Sequence, residues 1–315
     1  MAEKKISGVA VIGLGIMGPD IALGFALGGC RTAGYDLRRE SLDGARRRVD
    51  SNLKQLVKEG LIQAKEAERA GSLIEFTTDW DQALSQAEYV TEAVPENPQI
   101  KREIFKRCGE TCSEDAVIAS NTSSISLDEI AGEMRQPGRA IVTHWFIPAH
   151  LMPLVEVIPG KVTAAATVQQ TRALLSRIGK RPVICKENPA FVHNYIQAAM
   201  CRAAITLLER GICEPEDIDA IVQNGFALRL ARIGPVRMAD YAGLDTSLAL
   251  LKYVFQKTGD PSFEPPAILV EKVAKGELGL KSGQGFYAYT PEEVTEIRRL
   301  ADETVIRLRK ALGDL

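Results

Sequence analysis

His144 and Glu156 stand 12 positions apart (156 − 144), on either side of the apolar, proline-marked stretch Trp-Phe-Ile-Pro-Ala-His-Leu-Met-Pro-Leu-Val. A neutral imidazole whose second nitrogen is held by a carboxylate is a general base poised near pH 7. The carboxylate orients the ring and favours the imidazolium once the proton is taken, which suits removal of a proton from a hydroxyl group. A single histidine near a strand end is more often structural than catalytic, so the pair alone does not decide. Two further segments carry groups of the right type. Ser120-Asn-Thr-Ser-Ser124 supplies Asn121 and Ser123, and Glu187-Asn-Pro-Ala-Phe-Val-His-Asn194 supplies Asn194. Each alone reads equally as a turn or a helix cap.

A second chemistry is written in Gly13-Leu-Gly15-Ile-Met-Gly18, which follows the apolar run Val9-Ala-Val-Ile12. Gly13 permits a tight turn, Gly15 lets the backbone approach a pyrophosphate, and Gly18 lets helix and strand pack closely. The helix that follows offers free N–H groups and partial positive charge to phosphates. Asp36 comes 18 residues after Gly18 (36 − 18), the spacing of a ribose 2′-hydroxyl ligand. A carboxylate there repels a 2′-phosphate, so NAD is expected over NADP, with Arg38 and Arg39 as solvated residues at a helix start. Glu92-Ala-Val-Pro-Glu-Asn97 ends a further strand on the edge where a nicotinamide would lie. On spacing alone, Glu96 and Lys101 read either as part of that site or as a surface ion pair.

These groups need a scaffold, and the apolar periodicity supplies one. Strands are expected at 7–12, 31–36, 73–77, 89–94, 116–120, 140–143, 154–158 and 182–185. Helical segments separate most of them, and an amphipathic stretch from 38 to 70 reads as two helices joined near Gly60. This βαβ pattern predicts an α/β Rossmann-type doubly wound sheet. After Lys186 no convincing strand remains, and Asn188-Pro189 signals a turn and helix start. The boundary is placed at 187: an NAD-binding domain over 1–187, then an all-helical substrate and dimerisation domain over 188–315 that closes the cleft.

Composition sets outer limits. With 45% hydrophobic and 25% charged residues the chain has ample core material, and its net charge of −2 with interspersed signs gives no patch for nucleic acid or acidic membranes. No apolar stretch approaches the roughly 18 residues that span a bilayer, and no signal-peptide apolar region opens the chain. The six cysteines are scattered. Cys108 and Cys112 lie one helical turn apart with no partner pair to complete a zinc site, so reduced thiols, no metal and a cytoplasmic location are expected.

Taken together the segments resemble the L-3-hydroxyacyl-CoA dehydrogenase family. VIGLGIMG with Asp36, EAVPEN with Lys101, ASNTSS, HWFIPAHLMPLVEVI, NPAFVHN, GPVRMADYAGLD and GLKSGQGFYAY occur in family order over nearly the whole chain. The resemblance implies NAD-dependent, reversible oxidation of a 3-hydroxyacyl-CoA or related 3-hydroxy acid to the 3-oxo compound, as in fatty acid metabolism, by a homodimer. It implies His144 as the base and Glu156 as its orienting partner, with Ser123 and Asn194 bonded to the developing carbonyl. Glu96, Lys101, Asn121 and Lys281 would hold the cofactor.

Two departures bear on the substrate. The histidine motif of the acyl-CoA enzymes usually reads HFFNP, whereas Ile147 occupies the asparagine position here. The stretch Gly225-Phe-Ala-Leu-Arg229-Leu-Ala-Arg232-Ile-Gly-Pro235 resembles the branch acting on free hydroxy acids, which includes gulonate and carnitine dehydrogenases and a pyridine-carboxylate dehydrogenase. Arg229 or Arg232 could clamp a carboxylate, or could lie on a solvated helix face. Lys54 could meet a CoA phosphate, as could lysines of any amphipathic helix. GLGIMG also resembles 3-hydroxyisobutyrate and 6-phosphogluconate dehydrogenases, but ENPAFVHN lacks their glycine pattern and catalytic lysine. An NAD-binding, crystallin-like protein without turnover is the reading from a different class.

Overall fold

The computed structural model describes residues 5–313. Residues 1–4, where the expected leaderless start falls, and residues 314–315 lie outside the described residues. The chain divides into two compact units, one through Met200 and one from Cys201.

The first unit is built on one eight-stranded sheet. Its strands are β1 (Gly8–Ile12), β2 (Arg31–Tyr35), β3 (Ile74–Thr77), β4 (Tyr89–Glu92), β5 (Val117–Ser120), β6 (Ala140–Trp145), β7 (Leu154–Ile158) and β8 (Arg181–Ile184). They lie in the order β3-β2-β1-β4-β5-β6-β7-β8. The helices are α1 (Gly18–Leu27), α2 (Arg39–Lys58), α3 (Ala64–Ser72), α4 (Trp80–Leu84), α5 (Pro98–Thr111), α6 (Leu127–Ala131) and α7 (Ala165–Arg177), followed by α8 (Phe191–Glu209), within which the division falls.

Alternation along the strands explains the two cores. Val9 and Val11 of β1 join Phe25, Tyr89 and Trp145 in one cluster, while Ala10 and Ile12 join Phe105, Ile118 and Val142 in the other. Because both sheet faces are covered, the central strands β1, β4, β5 and β6 are buried along their whole length. Strand order reverses between β1 and β4, and such a switch point is where α/β sheets bind ligands, beyond the carboxyl ends of their strands.

From β3 to β6 all neighbours in the sheet are parallel, whereas β7 is antiparallel to β6. Residues 146–153 are too few for a parallel crossover, which takes about a dozen residues. The reversal sets His144 directly opposite Glu156 in the ladder.

The second unit carries α9 (Pro215–Asn224), α10 (Ala227–Leu230), α11 (Pro235–Ala242), α12 (Leu244–Thr258), α13 (Ala267–Ala274) and α14 (Pro291–Leu312). Leu244, Leu248 and Leu269 form its small core. Two isolated bridges, Gly279 to Gln284 and Gln284 to Ala288, take the place of strands there. Fully buried Asp240 stabilises that bridge segment by accepting bonds from the Phe286 and Tyr287 N–H groups and the Tyr289 hydroxyl.

Candidate active site

The glycine loop leaves β1 at the switch point, and its glycines do different work. Gly13 has φ +93°, and a Cβ there would sit 2.9 Å from the Ala93 carbonyl. A Cβ on Gly18 would sit 1.9 Å from the Gly13 oxygen, whereas one on Gly15 would meet nothing within 4 Å. Two glycines are therefore demanded by the fold, and Gly15 keeps open a space that the fold itself does not use. Asp36, just past β2, accepts the Leu14 N–H at 2.9 Å through Oδ2 and the Arg38 N–H at 3.1 Å through Oδ1. Open space beside Gly15, a carboxylate docked on the loop and the free N-terminus of α1 together fit a dinucleotide.

Past β4 and β5, two carboxylates organise the edge. Glu92 is buried, with Lys101 Nζ 2.9 and 3.0 Å from its oxygens, the Val94 N–H at 3.1 Å and the Ser120 hydroxyl donating to it. Burial pushes the Glu92 carboxyl up, against the downward pull of Lys101 and Ser120. Lys101 is fully buried, which the choice between surface ion pair and cofactor ligand did not anticipate. Its ammonium also faces the Val94 carbonyl at 3.4 Å and Glu96 at 3.4 Å, making it a strut beneath the loop.

Glu96 Oε1 gathers the serine-rich loop, accepting from the Thr122 hydroxyl at 2.6 Å and from the Ser123 and Ser124 N–H groups at 2.9 and 3.1 Å. Burial would raise the Glu96 carboxyl, but these donors and Lys101 outweigh it and hold it below its ordinary value. Ser123 is left exposed on the fixed loop. Asn121 Oδ1 accepts the Trp145 N–H at 2.9 Å and so joins the ends of β5 and β6.

The Nδ1 atom of His144 is 2.9 Å from Glu156 Oε2, and both side chains are almost fully buried. An ionised carboxylate only accepts, so Nδ1 carries a proton, and in the neutral ring Nε2 has the lone pair. The other oxygen of Glu156 accepts the His193 N–H at 2.8 Å. Burial would raise the Glu156 carboxyl, but the bonds from His144 and His193 hold it below its ordinary value. The rings of Phe146 and Phe191, with centroids 4.5 and 5.5 Å away, pack on the imidazole. Asn194, half-buried, follows directly on His193 in α8.

Other expected residues lie within their own units. Lys54 is exposed on α2, and Arg229 and Arg232 are exposed residues of the second unit. Lys281, also in the second unit, bonds Asp245 at 2.8 and 3.1 Å and Thr246 at 3.1 Å. Three contributors escaped the sequence reading: Glu92, Thr122 and the His193 N–H. Glu92 did leave a signal, being an acid inside the buried run Tyr89-Val-Thr-Glu.

The family description "3-hydroxyacyl-CoA dehydrogenase, NAD binding domain" matches residues 8–188, and that of the family's C-terminal domain matches residues 191–289. The chain is 34% identical to 5-formyl-3-hydroxy-2-methylpyridine 4-carboxylate 5-dehydrogenase of Mesorhizobium japonicum, over 98% of each chain. It is 35% identical to 3-hydroxybutyryl-CoA dehydrogenase of Mycobacterium tuberculosis, over 91% of this chain and 100% of that one. The crystal structure of a 3-hydroxyacyl-CoA dehydrogenase from Archaeoglobus fulgidus superposes with a TM-score of 0.82 at 32% identity, covering 98% and 100% of the two chains.

Proposed function

The chain belongs to the 3-hydroxyacyl-CoA dehydrogenase family, and from that premise we propose that His144 is the base of an NAD-dependent oxidation of a secondary alcohol β to a thioester or carboxyl group. The observation that carries this reading is the 2.9 Å bond between His144 Nδ1 and Glu156. It leaves Nε2 to accept the 3-hydroxyl proton and leaves Glu156 to stabilise the imidazolium. NAD, when bound, supplies the hydride acceptor. Ser123 and Asn194 hydrogen-bond the oxygen as it becomes a carbonyl and hold the reacting carbon in place. Asp36 and the Gly13–Gly18 loop bind the adenosine ribose and the phosphates, while Glu96 and Asn121 complete the cofactor site.

The test is NADH formation with 3-hydroxyacyl-CoAs and free 3-hydroxy acids. Turnover that is lost in His144→Ala is the expected result. Tight NAD binding with no turnover on either class would favour the binding protein without activity.

A second substrate reading has its own support. The similarity to the pyridine-carboxylate enzyme runs over 98% of both chains, more of this chain than the butyryl-CoA enzyme covers. Under this reading the substrate is a free hydroxy carboxylate, with Arg229 or Arg232 as the carboxylate ligand. Arg229→Met should then raise KM for the free acid, and an unchanged KM with good turnover of CoA thioesters would return the chain to the acyl-CoA substrates.

A homodimer is also part of this reading. Among the 19 residues of α8 only Phe191 is buried, and Val192, Ile196, Met200, Ile205 and Leu207 are exposed apolar side chains. All six cysteines are free thiols, which supports a reducing, cytoplasmic setting. Among the described residues no helix is long and apolar enough to cross a membrane.

A further inference from the structure

Asp20 is a carboxylate buried in the first turn of α1, whose following residues Ile21 to Ala26 are also buried. Arg48 grips it with Nε 2.7 Å from Oδ1 and Nη2 2.8 Å from Oδ2, and Asn52, one turn further along α2, donates to Oδ1 at 2.9 Å. The fourth partner comes from far away in sequence. His150 Nδ1 lies 3.4 Å from Asp20 Oδ2 and 3.4 Å from Asn52 Nδ2, and its side chain is 6% exposed. His150 belongs to the loop of residues 146–153, the one that turns β6 back into β7.

The backbone of the same loop is pinned separately. Lys180, just ahead of β8, donates to the Ala149 and Met152 carbonyls at 2.7 and 2.8 Å. Burial of Asp20 would raise its carboxyl, but Arg48 and Asn52 hold it below its ordinary value. Burial pushes the His150 imidazole down, and the Lys180 and Arg48 charges push it the same way against Asp20. Near neutral pH, His150 is therefore uncharged, with Nδ1 facing both the Asp20 carboxylate and the Asn52 amide.

A buried charged cluster of this kind contributes little net stability compared with an apolar replacement, so its effect falls chiefly on geometry. Its two ends have functional neighbours. Asp20 sits two residues past Gly18, in the first turn of α1, whose N–H groups would hold the dinucleotide phosphates. His150 sits in the loop whose length and course set His144 opposite Glu156.

We infer that Asp20 and His150 form a positioning pair that fixes the 146–153 loop against the dinucleotide helix, and thereby sets where His144 is held relative to the bound cofactor. This inference rests on the dehydrogenase reading of His144. Neither residue touches substrate or cofactor in it, and both act through the loop.

The test uses the fact that the chain has three histidines, which makes 15N-histidine NMR of the full-length protein with saturating NAD tractable. Assignment comes from His144→Ala, which removes the Nδ1–H resonance bonded to Glu156. In His150→Ala and in Asp20→Asn that resonance should shift or broaden, and His150→Asn, which returns an amide to the place of Nδ1, should restore it. His150→Gln, with its amide at the place of Nε2, should not. The Asn and Gln comparison carries the test should His150→Ala fail to fold. With the hydroxy substrate found to turn over, kcat/KM should fall at least about tenfold in His150→Ala while the NAD Kd stays within about twofold, as misplacement of a base by a fraction of an ångström implies. A His144 resonance unmoved in all these variants, or restored equally by Asn and Gln, overturns the pair. Retained activity in His144→Ala would instead overturn the reading of the base, so the two failures are distinguishable.

Discussion

Asp36 Oδ2 accepts the backbone N–H of Leu14 at 2.9 Å, so the carboxylate that would read the ribose also holds the glycine loop that would hold the phosphates. Each carboxylate oxygen can accept two hydrogen bonds, so this contact leaves capacity for a ribose hydroxyl. Asp36→Ala removes a charge-assisted bond worth about 1.5–3 kcal/mol. The NAD over NADP ratio of kcat/KM should fall by roughly 10–100-fold, read with both cofactors at fixed substrate. An unchanged ratio would mean that another group reads the ribose.

The glycines separate fold from function. Gly18→Ala forces a Cβ to within 1.9 Å of the Gly13 oxygen, and overpacking of that kind costs about 1–3 kcal/mol or more. Its urea midpoint should drop clearly. Gly15→Ala meets open space, so the midpoint should stay put while the NAD Kd rises at least about tenfold. Equal destabilisation of the two variants would show that Gly15 serves the fold alone.

Glu96→Gln tests the serine loop. The substitution keeps one acceptor but removes the charge that gathers Thr122 Oγ1 and the Ser123 and Ser124 N–H groups. Bonds to charged groups are about twice as strong as neutral ones, so kcat/KM should fall roughly tenfold or more. Thr122→Ala should fall in the same direction by less. Activity at the level of the unaltered protein in both variants would remove Glu96 from the positioning of Ser123.

Acid should unfold the first unit through its held carboxylates. Asp20, Glu96 and Glu156 all titrate below their ordinary values in the folded chain, because hydrogen bonds and neighbouring cations outweigh burial. Folded values below unfolded ones give stability that is fully present above the ordinary carboxylate range, about pH 4–4.5. That stability is lost as the pH falls through the folded values. Urea midpoints measured from pH 6 down to pH 3 should therefore fall steeply, with a shallower fall in Glu156→Gln. Identical slopes would mean that Glu156 gains nothing from its partners.

What the sequence makes legible depends on the range of the interaction. Gly13, Gly15, Gly18 and Asp36 act through one βαβ unit, and their spacing reads directly as geometry. His144 and Glu156 were visible as a pair because a short loop joins them, although their facing register depends on β7 running antiparallel. Lys101 shows the limit: residue type and spacing cannot tell a buried strut from a surface cation, because its burial is decided by Glu92 and the strands around it. Asp20 and His150 are 130 positions apart (150 − 20), and only the packing of α1 and α2 against the 146–153 loop brings them together. An acid within the apolar run Pro19-Asp-Ile-Ala-Leu was their one trace.

The central claim is that His144, held by Glu156, takes the substrate proton. Its most direct measurement is the pH dependence of kcat/KM for NADH formation in the unaltered protein, His144→Ala and Glu156→Gln. A single acidic limb should appear in the unaltered protein, with activity rising as the imidazole loses its proton. In His144→Ala the limb should vanish and the rate should fall by roughly 10²–10⁴-fold, with the NAD Kd unchanged. In Glu156→Gln the limb should move to lower pH, because the imidazolium loses its carboxylate. A limb that persists unshifted in His144→Ala, with activity within a few-fold of the unaltered protein, would contradict the account.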